Sequence, residues 1–161
     1  MTTIAPIQLL FDECLGRPHV AALATFVKLA KHEPIINVIH LFDLFPAGTD
    51  DSIWIPATAQ QGFLLVTADR HQKHSRRKHR DAPLPLLCAQ NGLRHVLLGG
   101  TASQQKMFDK MLTILSVWHQ LPTVAASDPG SRFRLEHVAR GVGRLVAKHV
   151  SDYRPPAGHL F

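Results

Sequence analysis

The chain has 161 residues, 45% of them hydrophobic and 19% charged, with a formal net charge of +6. That suits one folded domain with a real core. No run reaches the roughly 18 uninterrupted apolar residues of a membrane-spanning helix. The N-terminal MTTIAPIQLL lacks the basic and apolar regions of a signal peptide. Two cysteines, Cys14 and Cys88, are too few for a disulfide scaffold and lack zinc spacing. The expectation is a cytoplasmic protein without a membrane partner.

Ile7 to Phe11 is a short apolar run that stops at Asp12-Glu13, the pattern of a buried strand. Pro18 stands where a helix can begin, because its missing N–H is not needed there. Val20, Leu23, Ala24, Val27 and Ala30 follow at helical spacing, which predicts a helix to about Lys31, closed by Pro34. IINVIHLF, residues 35–42, reads as a second strand, and FPAGTDD as a loop. A helix is predicted from about Asp51 to Gln61, capped by Asp50 or Asp51 and ended by Gly62, although Pro56 falls inside it. Phe63 to Thr67 is the third strand. PLPLLCAQ is ambiguous, and LRHVLLGG reads as a fourth strand. Ser103 to Gln120 is predicted as one long helix, with Met107, Met111, Leu112, Leu115 and Trp118 near one stripe. Pro122 to Ser131 reads as a loop. RFRLEHVARGVGRLVAKHV is read as a terminal β-hairpin turning at Gly141 to Gly143, because two glycines disfavour the alternative amphipathic helix. Alternating strands and helices with short connections predict an α/β fold with a mostly parallel sheet. Residues 1–150 are expected to form a single domain, with a basic segment (70–80) after the third strand and a tail at 151–161.

Charge is unevenly placed. Residues 1–69 hold seven acids and three Lys/Arg, whereas residues 70–161 hold five acids and fifteen Lys/Arg. An acidic front and a basic rear point to a polyanionic partner. The acids in front would repel phosphate, and a divalent cation between the two removes that conflict.

In a parallel α/β sheet, chemistry gathers at the C-terminal edge of the strands. Asp12 and Glu13 end the first strand, Asp50 and Asp51 precede a helix, and Asp69 follows the third strand by two residues. Taken singly, each is ordinary as an N-cap or turn residue. Converging on one edge, they need a counter-ion. Hard oxygen donors select Mg²⁺ or Mn²⁺ over zinc, and such ions support phosphodiester hydrolysis.

At LLFDECL and GTDDSIWIPATAQQGFLLVTADR, and in their spacing, the chain resembles the PIN-like domain family, small metal-dependent ribonucleases that include the VapC-type toxins of bacterial toxin–antitoxin pairs. The resemblance is good from Ile7 to about Arg70 and weak beyond. It implies a Rossmann-like three-layer fold, Mg²⁺ or Mn²⁺, an RNA substrate and, in a toxin, a cognate antitoxin protein; a homodimer is compatible with it. Carried over residue by residue, Asp12, Asp51 and Asp69 would be the catalytic and metal-holding acids. Thr67 would hydrogen-bond a carboxylate or a water on the ion. His71 stands where many members have a further acid, and Cys14 where an Asn often follows the Asp-Glu pair. Glu13 or Asp50 is then the candidate fourth ligand.

Arg70, Lys73, Arg76, Arg77, Lys78 and Arg80 form a block without an acid, a candidate RNA-binding segment set against the plainer reading of a solvated face. His71, His74 and His79 lack the partners of a zinc site. His71 is a candidate proton donor to the leaving oxygen. Cys14 reads as a buried filler, and Trp54 and Trp118 as core. The resulting expectation is a metal-dependent endoribonuclease. The alternative is a non-catalytic nucleic-acid- or protein-binding module on a degenerate form of the same fold. A phospho-acceptor receiver arrangement is disfavoured, because LRHVLLGG lacks the Lys it would need.

Overall fold

Short apolar runs alternate with helical segments along the chain, and the computed structural model, which describes residues 5–68 and 84–148, builds one sheet from those runs. Its strands are β1 (Ile7–Phe11), β2 (Ile36–His40), β3 (Leu64–Thr67), β4 (Arg94–Leu98), β5 (Arg132–Ala139) and β6 (Val142–Lys148), in the order β2-β1-β3-β4-β5-β6. The first five run parallel, and β6 returns antiparallel to β5. The helices are α1 (Arg17–Ala30), α2 (Asp51–Gln60), α3 (Leu84–Asn91), α4 (Gly100–Gln104), α5 (Met107–Ser116) and α6 (Leu121–Ala125). No helix of the described residues is long and apolar enough to cross a membrane.

The sheet separates two cores. Leu9, Phe11, Leu64, Val66, Val96 and Leu98 pack with Val20, Leu23 and Val27 of α1, Ile114 of α5, and Trp118. Leu10 and Leu65, one residue out of phase, pack on the other face with Trp54 and Ile55 of α2 and with Leu84 and Cys88 of α3. Successive side chains of a strand point to opposite faces. A strand covered on both faces is therefore apolar without alternation, which explains the continuous runs IQLLF and LLVT. The result is the three-layer α/β arrangement expected of the sequence.

Local signals set most element ends. Asp50 caps α2 by accepting the Ser52 N–H at 2.8 Å. Pro56 is tolerated inside α2: the partner it denies is the carbonyl of Ser52, on the exposed side of the first turn. Gly62 takes φ +73 just after the helix, a conformation a side chain would resist.

Four expectations need correction. The second strand ends at His40, not Phe42; Leu41–Asp43 form a 3₁₀ turn, because the His40 Nδ1 accepts the Phe42 N–H and turns the chain. The ambiguous stretch PLPLLCAQ is helical from Leu84, with Leu84 and Cys88 in the core under α2. The long helix expected over Ser103–Gln120 is broken. Gln105 and Lys106 are extended, so that α4 stays against β5 while α5 turns to set Thr113 and Ser116 against Gly143 of β6. A 3₁₀ turn at Trp118–Gln120 then leads into α6, where a loop was expected; Pro122 lies in the first turn of that helix, a position that suits proline. The terminal hairpin is present. It turns at Arg140-Gly141 rather than across Gly143, which is a strand residue whose added Cβ would lie 2.6 Å from the Leu135 side chain.

Candidate active site

The sheet order places β1 beside β3, so the C-terminal ends of these two strands open side by side into one cleft of about 440 Å³. Asp12, Glu13 and Cys14 line it from the end of β1, Asp51 and Trp54 from α2, and Ala68 from the end of β3.

Asp12 is the most constrained of the acids. It is 7% exposed, directly after β1, with its backbone N–H on the Val66 carbonyl of β3 at 3.4 Å. One carboxylate oxygen, Oδ1, accepts the Cys14 N–H at 2.9 Å. The other, Oδ2, accepts the hydroxyl of Thr67, which is fully buried at the end of β3. Phe11 pairs with Val66, so Asp12 and Thr67 are opposite one another and share a sheet face, the one covered by α2. Burying a carboxylate is costly unless hydrogen bonds compensate, and these two donors also fix its orientation.

Asp51 is the first residue of α2, where the positive end of the helix dipole favours a carboxylate. Its Oδ1 accepts the indole Nε1–H of Trp54 at 2.9 Å. Trp54 is 2% exposed and belongs to the core, as expected of it, yet the same ring steers an acid. The three-residue spacing of Asp51 and Trp54 on a helix was the sequence signal for that contact.

Electrostatics places the two acids in one neighbourhood. The Cys88 thiol is pushed far up, first by burial and then by the charges of Asp51 and Asp12 together. The Cys14 thiol is also raised well above its usual range, by burial first and then by Asp12; its Sγ–H donates to the Val66 carbonyl at 3.4 Å. A thiol held protonated in this way fills space and does not attack.

Glu13 is exposed and lines the cleft. Asp50 caps the helix, with its Oδ1 accepting both the Ser52 N–H and the Ser52 hydroxyl. Lys110 of α5, to which nothing in the local sequence pointed, reaches the Cys14 carbonyl at 3.4 Å. Asp69, His71 and the basic block from Arg70 to Arg80, with Lys73, Arg76, Arg77 and Lys78, lie outside the described residues, as does the tail.

The donor chemistry fits a hard divalent cation. Asp12 and Asp51 present carboxylate oxygens to a single cleft, and Mg²⁺ is commonly held by one or two carboxylates with water and substrate oxygens completing its shell. Among the described residues no group of three or more His, Cys, Asp or Glu side chains is assembled to hold a metal by itself.

Residues 7–91, more than half of the chain, match the family model described as PIN like domain. No curated protein and no solved structure matches the chain significantly.

Proposed function

The chain belongs to the PIN-like domain family, and on that premise we propose that it is a metal-dependent ribonuclease. The observation that carries this reading is the pairing of Asp12 and Asp51 on one cleft at the C-terminal edge of the sheet, with Asp12 locked by Thr67 and Asp51 by Trp54. Asp12 and Asp51 would hold Mg²⁺ or Mn²⁺, joined by Asp69, which follows the cleft-lining Ala68 in sequence. When bound, such an ion supplies Lewis-acid polarisation of the scissile phosphate and neutralises its charge.

The protein's own groups do the positioning. Thr67 and the Cys14 N–H hold both oxygens of Asp12, so that the carboxylate is preorganised before any ligand arrives. The Trp54 indole restrains Asp51, and Leu41, Phe42 and Leu84 line the cleft beside the acids. The cations from Arg70 to Arg80 would hold the RNA backbone in a sequence-independent, salt-sensitive way. A role as a toxin with a cognate antitoxin protein is the finer form of the same proposal.

The test is RNA cleavage by the purified chain with Mn²⁺, with EDTA, and with Asp12→Asn and Asp69→Asn. The expected result is cleavage with Mn²⁺ that EDTA and each substitution abolish. Cleavage that persists in EDTA and in both variants overturns the metal site. RNA binding without any cleavage favours a binding module on the same fold.

A further inference from the structure

The α2–α3 layer covers only part of its face of the sheet. Its core is built on Leu10 of β1, Leu65 of β3, and Leu93 before β4. The next two strands carry charge on that face. Register places Arg132 opposite His95 and Arg134 opposite Leu97, and across the hairpin it sets Lys148 opposite Arg132, Val146 opposite Arg134 and Arg144 opposite Glu136. Cross-strand partners share a face. Arg132, Arg134, Arg144 and Lys148 therefore stand together with one carboxylate, Glu136, among the described residues of β5 and β6.

Their fields converge on that carboxylate. The Glu136 carboxyl is held below its usual range, first by its hydrogen bond from Arg144 and then by the charges of Arg144, Arg134 and Lys148. The Arg144–Glu136 contact is 3.0 Å and uses one of the cations; three remain in excess. Arg144 is 66% exposed at its side chain, so the surface is open there to a large ligand. Arg132 adds a second kind of evidence. Its Nε and Nη1 are buried and have no hydrogen-bond partner among the described residues, so two of its three nitrogens leave their positive charge without an acceptor beneath this face.

We propose that this face of the β5–β6 hairpin is a docking surface for the phosphodiester backbone of a nucleic-acid strand. The surface deepens the ribonuclease reading and rests on it for the identity of the strand as substrate. It lies beyond the family-matched residues and is separate in sequence from the basic block at 70–80.

The arrangement favours a phosphate backbone over an acidic peptide. Arg132 and Arg134 are spaced roughly 6.6 Å apart along β5, and Lys148 stands across from Arg132 at about 4.8 Å, an extended cationic patch on a sheet face. Val146 lies between Arg144 and Lys148 on β6 and opposite Arg134, so cations flank the apolar position within the patch. An extended patch of Arg and Lys neutralises backbone phosphates without reading sequence.

The experiment measures binding of a fluorescein-labelled oligouridylate by anisotropy across a salt series in EDTA. It compares wild type, Arg134→Gln/Arg144→Gln, Arg134→Lys/Arg144→Lys, and the charge-matched control Lys28→Gln/Arg140→Gln, with folding checked by circular dichroism. Loss of two phosphate contacts should weaken binding roughly 10- to 30-fold near 0.1 M salt and lower the slope of log K against log salt by about 1.4. The lysine variant should keep most of the affinity. A glutamine variant indistinguishable from the control overturns the docking surface, as does a lysine variant that loses as much as the glutamine one. Cleavage by wild type is followed in parallel with Mn²⁺. Binding loss in a protein that never cleaves sinks the nuclease reading and leaves the docking surface standing. Cleavage with unchanged binding by the glutamine variant sinks the docking surface alone.

Discussion

Lowering the pH should destabilise this fold through one residue, His95. It lies in β4 between Leu65 of β3 and Arg132 of β5, with no exposed surface. Its Nδ1–H donates to the Leu93 carbonyl at 3.3 Å, and its Nε2 has no partner among the described residues. Burial is the main cause that lowers its pKa from 6.5 to about 4; the Leu93 carbonyl opposes the change, and the Arg132 charge adds to it. Between about pH 6.5 and 4 the unfolded chain therefore binds a proton that the folded chain refuses. Stability is fully present above about pH 6.5 and is lost as pH falls toward 4. At about 1.4 kcal/mol for each tenfold difference in proton affinity, the loss is roughly 3 kcal/mol by the lower end of that window. Urea unfolding followed by circular dichroism, at about pH 7 and at a series of values down to about pH 4, measures it. His95→Leu keeps an apolar side chain in the site and removes the titration, so the difference between the two proteins isolates this residue from the carboxylates. Equal losses in wild type and variant over that range would refute the reasoning.

Three further outcomes are expected. Thr67→Val keeps the shape of the side chain but leaves Asp12 Oδ2 without its hydroxyl donor, and should cost about 1.5–3 kcal/mol in urea unfolding; a loss too small to measure would show that the hydroxyl does not hold the acid. Asp51→Asn retains an oxygen for the Trp54 indole but removes the charge, so quenching of tryptophan fluorescence by Mn²⁺ should need at least about tenfold more metal while the unfolding midpoint hardly moves. Unchanged Mn²⁺ titration would take Asp51 out of the ligand set. Gly130→Ala puts a side chain at φ +79 with its Cβ 2.9 Å from the Ala89 carbonyl oxygen, and should destabilise by more than about 1 kcal/mol in thermal unfolding; an unchanged midpoint would mean that the loop before β5 can shift away from α3.

The elements that were legible in the sequence are those whose cause is local. IQLLF and LLVT are apolar on both faces because helices cover both sides of the sheet. The limits of α2 were set by a capping Asp50 and by Gly62, each acting within its own turn. The segment from Ser103 to Ala125 was misread for the opposite reason. Its apolar stripe is helical throughout, and the break at Gln105-Lys106 comes from contacts with β5 and β6, more than a dozen residues away in sequence. The cationic face of the hairpin was hidden in the same way: Arg132, Arg134, Arg144 and Lys148 are scattered in the sequence and meet only through strand register.

The acids divide along the same line. Spacing after strands and before helices placed Asp12, Glu13, Asp50, Asp51 and Asp69 at one edge, and the family resemblance chose Asp12, Asp51 and Asp69 among them. The sequence by itself thus determined an α/β chain, its apolar strands and the acidic residues at their ends, because periodicity and capping act over a few residues. Tertiary structure alone decided that β1 lies beside β3, which carboxylate the Thr67 hydroxyl meets, and that Lys110 of α5 reaches the Cys14 carbonyl. Strand order follows from how two cores close on either side of a sheet, and the partner of Thr67, 55 residues away in the chain, is set by that order and not by either segment alone.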